Sequence, residues 1–222
     1  MNIPMVQNVL AESEELALEN QKILEGKRVF TINMMSSPGA GKTAILSQTI
    51  PLLKSQGLRC AVIEGDITST LDSERIGALN VPVVQVNTAP FGGDCHIGPH
   101  FIHAALDLID LDAVEILFVE NVGNLVCPAE FNLGEHRKVV VLSLPEGEDK
   151  PLKYPLMFRE CHLCLLNKID LTPHLDVDQE LLKSNLRRIN SQLKIIPVSA
   201  KTGSGIEDWA KWLLESREDK FR

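Results

Sequence analysis

Basic charge is in short supply in this 222-residue chain: 22 Lys and Arg stand against 30 Asp and Glu, a formal net charge of −8. That balance leaves no basic surface for holding nucleic acid non-specifically, so a phosphate-bearing ligand must be met by a local site. Long apolar runs are also missing. Nothing approaches the roughly 18 residues of a membrane span, and Met1–Gln21 is acidic without a compact apolar block. This argues against a signal peptide and a membrane partner, and the expected location is the cytoplasm. Cysteine is sparse and odd in number, five in all, which argues against a disulfide framework and leaves thiols for metal binding, redox chemistry or the core. No linker, internal repeat or low-complexity tract breaks the chain. With 44% hydrophobic and 23% charged residues, it has the composition of one globular unit. The expected division is an N-terminal helix in residues 1–27 and a main domain in residues 28–222.

The organisation that is present is an alternation. Val6, Val9, Leu10, Leu16, Ala17, Ile23 and Leu24 recur at helical spacing up to Gly26, which predicts a docking helix. After it, apolar runs at Val29–Met35, Cys60–Ile63, Val83–Val86, Ile116–Val119, Val139–Leu142, Cys164–Leu166 and Ile195–Val198 lack period-2 alternation. Such runs fit strands buried on both faces, so the predicted fold is α/β: a doubly wound, mainly parallel, seven-stranded sheet flanked by helices, a frame that the Ser36–Thr43 loop makes that of a P-loop NTPase. Helices are predicted at Lys42–Gln56, Pro99–Leu108, Val177–Asn190 and Ile206–Arg217, the last with Trp209 and Trp212 as core residues.

Ser36-Ser37-Pro38-Gly39-Ala40-Gly41-Lys42-Thr43 lies between the first predicted strand and a helix, the context a phosphate loop requires. Ser37, Gly39, Ala40 and Gly41 offer backbone N–H groups, Lys42 reaches the outer phosphates, and Thr43 supplies a hydroxyl to Mg²⁺. The usual first Gly of the pattern is Ser36 here. Asn167-Lys168-Ile169-Asp170 leaves a later strand. Asp170 accepts the two donors of guanine, which adenine does not offer, so the nucleotide is expected to be GTP rather than ATP. Lys168 would cover the base, Asn167 would tie this loop to the phosphate loop, and Ser199-Ala200-Lys201 would form the second base-contacting loop.

Glu120-Asn121-Val122-Gly123 has the form of a second switch, with the Gly123 N–H sensing the γ-phosphate and Glu120 reaching Mg²⁺ through water. Asp66 ends the second predicted strand and is the first-switch choice for Mg²⁺. Asp72 lies nearby, for the attacking water, a subunit contact or a helix cap. Asn124 occupies the place where Ras-like enzymes have Gln, so slow intrinsic hydrolysis is expected. Cys95-His96 precedes the helix that carries His100 and His103, and Cys127 follows the second switch. Thiolate and imidazole suit Zn²⁺ or Ni²⁺, although His100 and His103 also read as partly buried helix residues. Cys60, Cys161 and Cys164 read as core thiols, the last two pointing to opposite faces of one strand.

Together Ser36–Thr43, Glu64–Asp66, Cys95-His96 with His100, the block Glu120–Phe131, Asn167–Asp170 and Ser199–Lys201 resemble the HypB family of SIMIBI-class GTPases, the hydrogenase nickel incorporation proteins. Asn121-Val122-Gly123-Asn124-Leu125-Val126-Cys127-Pro128 separates the chain from the urease accessory GTPases. The resemblance implies a GTPase with Lys42, Asp66, Asp72 and Gly123 in catalysis and a homodimer formed on binding GTP. It implies Ni²⁺ or Zn²⁺ held at the subunit interface by Cys95, His96 and Cys127, with His100 a further candidate. It also implies a HypA-like nickel chaperone and the large subunit of [NiFe]-hydrogenase as partners. The N-terminal Cys-x-x-Cys-x-x-Cys site and His-rich stretch of some members are missing, so high-affinity N-terminal metal binding is not expected.

Overall fold

The computed structural model describes residues 7–66, 71–88 and 96–222. Within them seven strands form one sheet: β1 (Phe30–Ser36), β2 (Cys60–Asp66), β3 (Val83–Asn87), β4 (Ile116–Glu120), β5 (Arg137–Ser143), β6 (Leu163–Asn167) and β7 (Lys194–Pro197). Their spatial order is β3-β2-β4-β1-β5-β6-β7, and every neighbouring pair is parallel. The helices are α1 (Gln7–Gly26), α2 (Lys42–Ser55), α3 (Leu71–Gly77), α4 (Pro99–Leu106), α5 (Cys127–Glu130), α6 (Lys150–Lys153), α7 (Pro155–Glu160), α8 (Gln179–Ile189) and α9 (Ile206–Phe221).

Every residue of β1, β4 and β6 is buried, which is why their sequences run apolar without alternation. One apolar layer beneath the sheet joins Ile45, Leu46 and Ile50 of α2 to Trp209 and Leu213 of α9. Trp209 is fully buried and donates its indole N–H to Thr49 Oγ1 at 3.1 Å, so it is a core residue as expected. A second layer joins Leu24 of α1 with Ile97, Ile102 and Leu117. A third joins Leu125, Met157, Phe158, Leu182 and Leu186. The N-terminal helix thus lies against α4 and contributes Ala17, Asn20 and Leu24 to the interior.

Several element boundaries differ from the sequence reading, the helix predicted over Pro99–Leu108 ending at Leu106 among them, and three differences have a visible cause. Asp178 caps α8, its Oδ1 accepting from the N–H groups of Glu180 and Leu181, so that helix starts at Gln179. At the other end of the chain α9 continues to Phe221 because tertiary contacts hold it: Lys220 pairs with Glu25, Arg28 donates to the Phe221 carbonyl, and Phe221 packs edge-on to Phe30. Cys161 lies at the end of α7, before β6, and shares one apolar layer with Cys164. The two thiols therefore do not face opposite sides of a strand. Burial pushes the thiols of Cys60, Cys161 and Cys164 up, Cys60 to about 12, which keeps them protonated and fits core packing.

Candidate nucleotide and metal site

The carboxyl ends of the strands lie along one edge, and the sheet changes direction around β1, with β4 on one side and β5 on the other. Loops leaving that edge meet in the crevice where open α/β folds bind ligands. The loop from β1 to α2 turns through Gly39 at φ 72° and Gly41 at φ 103°, conformations that side chains resist. Lys42 and Thr43 open α2 and are both buried. Lys42 Nζ donates to Ser36 Oγ at 3.0 Å, and Ser36 Oγ donates to the Ser37 carbonyl at 2.7 Å. The serine that replaces the usual glycine thus holds the lysine of the loop.

Across this loop lies the Glu120–Gly123 segment, the candidate second switch. Asn124 forms an isolated antiparallel bridge with Ser36, and a Cβ on Gly123 would stand 2.9 Å from Pro38 Cα and 3.1 Å from Pro38 N. Backbone at that distance cannot yield to a side chain, so glycine is required for the switch to lie on the phosphate loop. Asn124 Oδ1 accepts from the Val126 N–H at 2.8 Å, which commits its side chain to the local turn.

At the base end, Asn167 Nδ2 donates to the Ala40 carbonyl at 2.8 Å and Asn167 Oδ1 accepts from the Ala200 N–H at 3.2 Å. One side chain therefore ties three loops. Lys168 takes a left-handed φ of 63° and donates from Nζ to the Gly39 carbonyl at 2.8 Å. Ser199 Oγ donates to Asp170 Oδ1 at 2.6 Å, fixing the carboxylate while its other oxygen is left for a ligand. Gly41, Asn167, Lys168, Asp170, Ala200 and Lys201 line a cavity of about 290 Å³ beside the phosphate loop. Its size and its mostly apolar walls suit a planar base.

The acids gather on the opposite flank. Thr43 Oγ1 donates to Glu120 Oε1 at 2.7 Å, and Glu120 Oε2 is buried without a hydrogen-bond partner. Burial holds the Glu120 carboxyl above the usual carboxylate range, opposed by the Lys42 ammonium and the Thr43 hydroxyl. A buried hydroxyl–carboxylate pair with one bare oxygen fits a hard divalent cation such as Mg²⁺. Glu64, Asp66 and Asp72 bring ligand oxygens within 4.8 Å of one another, and Ser73 Oγ donates to Glu64 Oε2 at 2.8 Å. Glu64 pairs with Glu120 across β2 and β4. Its carboxyl is pushed up to about 7 by burial first, with Glu120, Asp66 and Asp72 adding and the Ser73 hydroxyl opposing. Glu64 was not singled out as a site residue from sequence. Its spacing two before Asp66 on one strand, hence on one face, is the signal for it. Asp72 lies in the first turn of α3, 3.4 Å from Arg75.

Of the soft-metal candidates, Cys95 lies outside the described residues. His96 is half-buried and stacks on Phe131, ring centroids 4.3 Å apart and 9° from parallel. Cys127 is half-buried at the start of α5, four residues before Phe131. His100 packs against Phe101 with the rings tilted by 41° and, with His96, Glu12 and Leu16, lines a cleft of about 330 Å³ between α1 and α4. His103 Nδ1 is 2.9 Å from Asn20 Oδ1, while Asn20 Nδ2 donates to the carbonyls of Pro99 at 2.8 Å and Leu133 at 3.2 Å. His103 is therefore a packing residue at the junction of α1 and α4. Among the described residues Glu64, Asp66 and Asp72 are the only three metal-ligating groups that converge, so His96, His100 and Cys127 do not meet at one point within a chain.

A phosphate loop, a second switch resting on it and a side-chain-tied base pocket define the class: a P-loop nucleotide-binding domain. The comparisons with known proteins agree. Residues 30–197 match the family model described as CobW/HypB/UreG, nucleotide-binding domain. The hydrogenase maturation factor HypB of Azotobacter vinelandii is 48% identical over 217 residues, which is 97% of this chain and 70% of that protein. The structure of HypB from Helicobacter pylori in complex with nickel superposes with a TM-score of 0.88 at 31% identity, covering 95% of this chain and 97% of that one. HypB from Archaeoglobus fulgidus gives a TM-score of 0.85 at 34% identity, covering 93% and 99%. The chain belongs to the CobW/HypB/UreG family, within its HypB branch.

Proposed function

We propose that this protein is a GTP-hydrolysing metallochaperone that assists nickel insertion into the large subunit of [NiFe]-hydrogenase, working in the cytoplasm as a GTP-dependent homodimer with a HypA-like nickel chaperone. The observation that carries the reading is the contact of Gly123 with Pro38, because Cys127 follows only four residues later on the same segment. A segment that rests on the phosphate loop at one end and offers a thiol at the other links nucleotide state to metal affinity.

Lys42 binds the outer phosphates and stabilises charge that develops on them. Gly123 presents its N–H to the γ-phosphate. Thr43, Asp66 and Glu120 would hold Mg²⁺, which when bound neutralises phosphate charge. Asp72 orients the attacking water, and with Asn124 committed to its turn the intrinsic rate is slow. Asp170 accepts from guanine, with Lys168 over the base and the Ala200 N–H toward the base oxygen. Nickel, or zinc in its place, is cargo held by Cys95, His96 and Cys127. A second subunit completes the set, as the resemblance to the HypB family implies. His100, lining the cleft with His96, is a further ligand.

The test is nickel content and mass of the protein loaded with a non-hydrolysable GTP analogue, comparing wild type with Cys95→Ala. The expected result is a dimer in both and nickel in wild type alone. Equal nickel in both would remove the proposed site.

A further inference from the structure

Ile97, next in sequence to His96, is fully buried and held at two points. Its backbone N–H donates to Asn121 Oδ1 at 3.0 Å. Its side chain lies over Gly65, where a Cβ would press on Ile97 Cδ1 and come within 2.6 Å of Cγ1. Asn121 sits between Glu120 and Gly123 in the second switch, and Gly65 sits between Glu64 and Asp66 in the first. The residue beside a proposed nickel ligand is therefore anchored on both switches.

The orientation of the Asn121 amide follows from its partners. Asn121 Nδ2 donates to Asn33 Oδ1 at 3.2 Å, and Asn33 Nδ2 in turn donates to Glu135 Oε1 at 3.4 Å. The Glu135 oxygen can only accept from Asn33, so Asn33 presents its own oxygen to Asn121, and the Asn121 oxygen is left to accept from Ile97 N–H and Val122 N–H. The Asn121 backbone N–H donates to the Met34 carbonyl of β1 at 2.9 Å. One buried side chain thus joins the strand that leads into the phosphate loop, the second switch and the metal loop.

We propose that Asn121 is the positioning residue that carries nucleotide state to the metal loop, through its side-chain oxygen on the Ile97 N–H. The proposal rests on the reading above that nickel is held by Cys95, His96 and Cys127. When the second switch moves, Asn121 moves with it, and a buried N–H must keep its partner or bear the cost of burial without one. The 97 backbone follows, and His96 shifts relative to Cys127. This route differs from the one through Cys127, which moves a ligand directly.

The experiment is a Ni²⁺ titration, followed by thiolate-to-nickel absorption, with GDP and with a non-hydrolysable GTP analogue, on wild type, Asn121→Leu and Gly65→Ala. In wild type the two nickel affinities should differ by about 5- to 150-fold. Asn121→Leu keeps the volume and removes the acceptor, so the ratio should collapse toward one while nickel binding in the GDP state is retained. Gly65→Ala displaces the Ile97 side chain with Asn121 intact and should shrink the same ratio. In wild type the Ile97 amide resonance should also shift between the two nucleotide states, a readout that needs no variant. A wild-type ratio in both variants, affinities falling in parallel with the ratio kept, or an Ile97 amide that does not respond to nucleotide would each overturn the proposal. A ratio of one in wild type would overturn the coupling in the function reading itself, whereas loss of nickel in Cys95→Ala with an unchanged ratio in Asn121→Leu would sink this inference alone.

Discussion

The nucleotide end and the proposed metal end of this molecule are built by different means. At the nucleotide end a single chain completes the geometry: Asn167 ties Ala40 to Ala200, Ser199 fixes Asp170, Ser36 holds Lys42 and Thr43 meets Glu120. At the metal end His96 is set by stacking on Phe131, and Cys127 begins a helix of only four residues. The difference teaches how a switch protein divides its rigidity. A ligand that must be recognised by shape needs groups held within fractions of an ångström before it arrives. A cargo that must be released needs ligands that one conformational change can separate, and the proposed set, completed by a second copy, would have that property.

If the nucleotide end is prebuilt, its residues should give the largest single effects. Asp170→Asn heads the series. The substitution keeps an oxygen for the Ser199 hydroxyl, so the loop is preserved. The amide opposes one of guanine's two donors with a donor of its own, and the GTP affinity should fall on the order of 10³-fold or more. Xanthine nucleotides, with a carbonyl in place of the amine, should gain. Equal binding of GTP by mutant and wild type, measured by calorimetry, would detach Asn167–Asp170 from the base.

Lys42→Ala should come next, at about 3 kcal/mol, or roughly 10²-fold, for loss of a charged donor to phosphate. Affinity and turnover should fall together, because the ammonium serves the bound and transition states alike. Ser36→Gly restores the usual loop pattern and removes the hydroxyl that Lys42 meets, so it should affect nucleotide binding far less. A larger loss in Ser36→Gly than in Lys42→Ala would reverse the assignment of roles. Nickel binding without nucleotide should respond to neither, and a response would break the separation of the two ends.

How much of each end was legible in sequence follows the same division. The proposed phosphate and base loops depend on contiguous residues whose types are dictated by local chemistry, and Asn167, Asp170 and Ala200 are joined to one another or to neighbouring loops by hydrogen bonds. Buried parallel strands announce themselves as apolar runs, so all seven strands were legible, with ends within three residues of those observed. What escaped was set by packing at long sequence separation. Glu64 is placed by its register against Glu120, Phe131 by its stacking on His96, and Asn20 by contacts with Pro99, Leu133 and His103. Asn20 did leave a trace, a polar residue on the same helical face as Ala17 and Leu24, both buried. The short α3, α5, α6 and α7 left none, since four to seven residues carry no helical period.

The smallest expected effect bears most directly on the link between the ends. Cys127 sits four residues past Gly123, whose contact with Pro38 makes any shift of the second switch a shift of this segment. If its thiolate is a nickel ligand, Cys127→Ser should weaken nickel binding and also reduce its dependence on nucleotide. Wild-type coupling of about 1–3 kcal/mol is the usual scale. Linkage requires the reciprocal: nickel must change GTP or GDP affinity by the same factor that nucleotide changes nickel affinity, and the mutant must lose both together. The pattern also distinguishes the two routes, because Asn121→Leu should flatten the dependence while nickel binding in the GDP state is kept, whereas Cys127→Ser should lower both. Titrating Ni²⁺ into each nucleotide state of the mutant, and each nucleotide into the nickel-loaded protein, tests all of these. A mutant that binds nickel as wild type does, with the same nucleotide dependence, would leave Cys127 neither a ligand nor the link, and the metal end would then have to be built around other groups.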